Sequence, residues 1–103
     1  MGQSLSQILV HIVFSTKERY PYLTPEIRPE LHAYMATALQ TCESPALVIN
    51  SMPDHVHILC QLSRKHAVCD VIEEIKKASS KWLKTKGGRL EKFYWQVGTG
   101  RFR

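Results

Sequence analysis

The chain has 103 residues, 44% hydrophobic and 22% charged, which suits one domain with a modest core and excludes an intrinsically disordered composition. No apolar run approaches the roughly 18 residues that a membrane span requires, and no signal peptide opens the chain, so a cytoplasmic protein without a membrane role is expected. The net charge of +5 is uneven: residues 1–62 carry three Lys/Arg against five acids, and residues 63–103 carry eleven against four, a balance that suits either a polyanionic partner or a solvated helix face.

Residues 7–15 are rich in β-branched side chains and alternate, which predicts a strand with Ile8, Val10, Ile12 and Phe14 on one face and Leu9, His11 and Val13 on the other. Thr24 is a suitable N-cap with Pro25 at the first helical position, and Leu31, Tyr34, Met35, Ala38 and Leu39 keep the spacing of an amphipathic helix. Pro29 means that the first turn is irregular or that the regular helix starts there. After the Ser44-Pro45 break, 46–50 reads as a short strand, 51–54 as a turn and 55–62 as a further strand. Val68, Val71, Ile72, Ile75, Ser79, Trp82 and Leu83 trace the stripe of a second helix, ended by Gly87-Gly88. An aromatic strand is expected at 93–97.

That order, β-α-β-β-α-β, predicts an α+β, ferredoxin-like fold: one antiparallel sheet with both helices on one face and the first and third strands as central neighbours. The open face then carries Leu9, His11, Val13, His55, His57, Leu59 and Gln61, a mixture apolar enough to call for a cover of protein or nucleic acid. The cysteines Cys42, Cys60 and Cys69 form no C-x-x-C pair and read as reduced thiols.

His55 and His57 are two apart on a strand, so they leave the same face about 6–7 Å apart at the backbone. Two imidazoles so placed can share one metal ion or can be two ordinary polar-face residues. The string Met52-Pro53-Asp54-His55-Val56-His57-Ile58-Leu59 resembles the signature of the single-tyrosine HUH transposases of insertion sequences and repeat-associated elements. Three further segments agree with that resemblance in order along the chain: Val10–Lys17 with the first strand, Ile75–Trp82 with the second helix, and Phe93-Tyr94-Trp95-Gln96 with the last core strand.

The resemblance implies a transposase that cuts and rejoins single-stranded or hairpin DNA, works as a homodimer, and holds a divalent metal, Mg or Mn, between His55 and His57. In such an enzyme the metal polarises a phosphodiester and a tyrosine hydroxyl attacks it, conserving the bond as a phosphotyrosine. His11 and Asp54 are candidates for a third ligand or for orienting the histidines; for each, a packed sheet histidine and a turn-closing aspartate are the plain alternatives. Lys76, Lys77, Lys81, Lys84, Lys86 and Arg89 are the candidate DNA contacts.

The family places its nucleophile on a helix after the last strand, and none of Tyr20, Tyr22, Tyr34 and Tyr94 matches that position. No catalytic tyrosine is therefore assigned. The tail also departs from the pattern, with Thr99 at the tyrosine-like position and Arg101 at the alanine-like one. The expectation is a single domain over 1–103 lacking the C-terminal helix: a truncated, impaired copy, or a relic that binds DNA without cutting it. An unrelated ferredoxin-like dimerisation module is the remaining alternative.

Overall fold

A computed structural model of the protein describes residues 8–96 and the backbone of residues 101–102. Its elements run β1 (Ile8–Ser15), α1 (Arg28–Thr41), β2 (Ala46–Met52), β3 (His55–Leu62), α2 (Val68–Lys84) and β4 (Arg101–Phe102). The sheet has the order β2-β3-β1-β4 with every pair antiparallel, so β1 and β3 are the central neighbours that the ferredoxin-like reading requires.

One face of the sheet makes the core. Val10, Ile12 and Phe14 from β1 and Val56, Ile58 and Cys60 from β3 are buried against Leu31, Met35 and Leu39 of α1 and Val71, Ile72, Ile75 and Leu83 of α2. Strand alternation and the helical stripe converge on the same layer, which is why the two helices lie together on that face. Among the described residues no helix is long and apolar enough to cross a membrane.

Several boundaries differ from the sequence reading. Thr24 does not cap α1; its carbonyl accepts the amides of Ile27 and Arg28 in a preceding turn, and the helix begins at Arg28 with Pro29 in its first turn, where a missing N–H costs nothing. β2 runs on to Met52, so the β2–β3 connection is the two-residue turn Pro53-Asp54 rather than the four residues 51–54. Leu47 is passed over in the β2–β3 register, which goes from Ala46 to Val48.

The largest change is at the last strand. Phe93–Trp95 runs beside the end of β1 but makes only the isolated Thr16–Trp95 bridge. Backbone bonds from Lys17 to Tyr94 and from Gln96 to Ser15 flank that bridge and hold the segment against the end of β1. The outer edge of β1 is instead taken by β4, with Ile12 opposite Phe102 and Val13 opposite Arg101. Val97 and the expected departures around Thr99 lie outside the described residues.

Candidate metal and nucleic-acid site

The Pro53-Asp54 turn sets up the open face. Its carbonyls accept the amides of Leu23 and Thr16, and the fully buried Thr16 donates its hydroxyl to Tyr20 O at 2.7 Å, so the turn is tied to the end of β1. His55 follows at the first position of β3. The register then lays out the open face in rows: Met52, His55 and Ser15; Asn50, His57 and Val13; Val48, Leu59 and His11; then Gln61 and Leu9. The open-face placement of all seven residues named from the sequence is as expected.

The histidines converge. The His55 and His57 ring centroids are 4.8 Å apart, and His57 and His11 are 5.4 Å apart. His55 Nδ1 lies 2.7 Å from Asp54 Oδ1, and His57 Nδ1 lies 3.3 Å from His11 Nε2. A carboxylate accepts the Nδ1 proton of His55, and His11 can accept that of His57; both arrangements leave an Nε2 lone pair without a partner among the described residues. Asp54 therefore orients a histidine as well as closing a turn.

The second carboxylate oxygen of Asp54 is also used. Arg19 Nε donates to Asp54 Oδ2 at 3.1 Å and its Nη1 to Ser15 Oγ at 3.1 Å. The hydrogen bond from His55, with the charge of Arg19, holds the Asp54 carboxyl below its ordinary range. Burial, then the charges of His55 and His11, pulls His57 down, which favours the neutral ring a metal would need. The sequence does not single out Arg19, because it reaches Asp54 only through a turn in which Glu18 and Arg19 both have positive φ, 54° and 60°. Nothing local in the sequence signals such a turn.

No group of three or more His, Cys, Asp or Glu side chains among the described residues is arranged to hold a metal ion. The donor chemistry that is present is two imidazole nitrogens, which fits a metal whose other ligands are phosphate oxygens or water. Beside the pair lies an open depression of about 450 Å³ lined by His11, Val48, Asn50, Met52, His57 and Leu59.

The six basic candidates do not form one surface. Lys77 and Lys81 are exposed along α2, and Lys84 continues their stripe. Lys76 donates to Gln96 O at 3.0 Å and burial lowers its pKa. Lys86 pairs with Glu30 at 3.1 Å, and Arg89 donates to Tyr20 Oη at 3.0 Å. The tyrosines are likewise occupied or remote in role: Tyr22 Oη donates to Lys92 O, and Tyr34 stacks on Trp82 with centroids 5.1 Å apart. Trp82 is thus half-buried between the helices rather than in the core.

A family model described as "Transposase IS200 like" matches residues 4–100. Comparison with curated protein sequences gives no match. Among solved structures, a protein of Deinococcus radiodurans R1 assigned as a transposase superposes with TM-score 0.86 at 19% identity, covering 100% of this chain and 83% of the other. A REP-associated tyrosine transposase bound to a REP hairpin superposes with TM-score 0.66 at 14% identity, covering 100% of this chain and 61% of the other. At these identities the two structures speak for the fold alone.

Proposed function

Since the chain belongs to the IS200-like transposase family, we propose that its open sheet face binds single-stranded or hairpin DNA at a divalent metal held by His55 and His57. Membership removes the alternative of an unrelated dimerisation module. The observation that carries the reading is the pairing of both Nδ1 atoms, Asp54 on His55 and His11 on His57, with both Nε2 atoms left available on one face. When bound, the metal would polarise a phosphodiester and offset its charge. Two imidazole donors suit Mn better than Mg, which prefers oxygen.

This chain's own residues bind and position the DNA. Asp54 keeps the His55 proton on Nδ1, and Arg19 keeps Asp54 ionised and in place. A strand that passes from the open face round the end of the sheet, where Lys84 reaches Tyr94, meets Lys84, Lys81 and Lys77 along α2. No tyrosine is assigned as nucleophile in this reading: Tyr34 is stacked between helices, Tyr22 Oη is bonded to Lys92 O, Tyr20 Oη accepts from Arg89, and the exposed Tyr94 carries Lys84 over its ring. The described residues are thus read as holding the DNA and not as supplying the nucleophile. A second copy covers the apolar part of the open face, where Leu9, Val48 and Met52 are exposed. The reduced thiols suit the cytoplasm.

The test is incubation of the protein with a hairpin single strand and manganese, followed by gel mobility and mass spectrometry. A shifted hairpin without a tyrosine–DNA adduct is expected. An adduct would overturn the non-cutting state, and an unshifted hairpin would overturn DNA binding altogether.

A further inference from the structure

Phe93 and Trp95 are buried, but Tyr94 between them is 54% exposed, as alternation in an extended segment dictates. Two lysines converge on its ring: Lys84 Nζ is 4.1 Å from the centroid and Lys17 Nζ is 5.7 Å away. The Lys17 amide also donates to Tyr94 O at 2.9 Å, which fixes the two residues side by side. Neither ammonium has a carboxylate partner among the described residues, whereas Lys65, Lys86 and Arg19 each do. Two cations without carboxylate partners gathered around one aromatic ring repel each other and are relieved by an anion that bridges them.

The position of this cluster gives it a role. Trp95 bridges Thr16, and the preceding residue Ser15 stands opposite His55, so Tyr94 sits at the same end of the sheet as the histidine pair. We propose that Tyr94, Lys17 and Lys84 form a platform for one nucleotide of a single strand that runs off the histidine site. The phosphate lies between the two ammonium groups, and the base stacks on the Tyr94 ring in place of the Lys84 head group, which the phosphate draws aside. Because every base has a π-face and a duplex keeps those faces covered, the platform selects single strands rather than a sequence. The proposal rests on the single-stranded DNA reading above.

Fluorescence anisotropy with a labelled single-stranded oligonucleotide, and with a duplex of the same length, tests it on Tyr94→Ser, Tyr94→Phe and Lys17→Gln/Lys84→Gln. Tyr94→Ser is expected to weaken single-strand binding roughly 5- to 100-fold, the range for losing one stacked base, with the duplex little changed. Tyr94→Phe is expected to bind like the parent, and the double lysine variant to bind more weakly with a shallower salt dependence. Parent-like binding by Tyr94→Ser overturns the platform while leaving the DNA reading intact, and equal losses in Tyr94→Phe and Tyr94→Ser overturn the stacking contact. Failure of the parent chain to bind any single strand overturns the DNA reading and the platform with it.

Discussion

His55 and His57 each have one ring nitrogen engaged and one left over, the arrangement on which the proposed metal site rests. The H-x-H spacing was visible in the sequence; the partners that fix the rings were only partly so. Asp54 adjoins His55 and could be suspected, but His11 is 46 residues away and Arg19 acts through a left-handed turn, so both depend on tertiary structure. Asp54→Ala is expected to lower manganese affinity roughly 10- to 100-fold by calorimetry with the fold retained, as loss of a ligand's outer partner does; unchanged affinity would mean that His55 needs no orienting carboxylate. A second titrating residue acts on stability. His32 bonds Ser51 at 2.7 Å, and burial, then Arg28, holds its pKa below the ordinary 6.5. The folded chain thus prefers the neutral ring. This contribution is whole above pH 6.5 and is lost as pH falls below it, because the unfolded chain takes the proton first. Tm should fall between pH 7.5 and 5.5, and fall less in His32→Gln; an equal fall would assign the effect to other groups.

At the scale of elements, the helices and the central strands were legible because each carries a strong apolar period. β3 matches the reading at both ends, since the turn residues before it and the histidine alternation bound it. The segment expected as the last strand, 93–97, makes only one bridge in its described part, because Phe93 and Trp95 have the composition of a strand but serve as a plug: their rings meet edge to face 4.7 Å apart and Trp95 meets Phe14 at 4.6 Å. The plug is fastened by a polar pair that hydropathy conceals. Ser79, on the apolar stripe of α2, donates to Ile75 O at 2.6 Å and accepts Trp95 Nε1–H at 3.0 Å in a buried setting. Ser79→Ala leaves that indole N–H unpaired and should cost about 1–3 kcal/mol in urea unfolding; a loss near zero would show that Trp95 finds another acceptor.

Over the whole molecule, the sheet divides two chemistries: helices and core on one side, histidines and a mixed apolar surface on the other. The fold class was legible from element order, whereas the distribution of the positive charge was not, because a lysine's reach depends on what the chain brings near it. Lys86 is neutralised by Glu30 and Lys76 turns to a backbone carbonyl, so fewer cations are left for the proposed DNA contact than the count of basic residues suggests. Lys77→Ala and Lys81→Ala should each reduce the slope of log affinity against log salt for a single strand by roughly 0.7, and Lys86→Ala should leave it nearly unchanged. Equal slopes in all three would refute that division. The most direct measurement is the affinity for a single-stranded hairpin as manganese is titrated, in the parent chain and in His55→Ala/His57→Ala. Manganese should tighten binding by the parent and leave the double variant unmoved; the same response in both, or none in the parent, would contradict a metal-assisted DNA site on the histidine face.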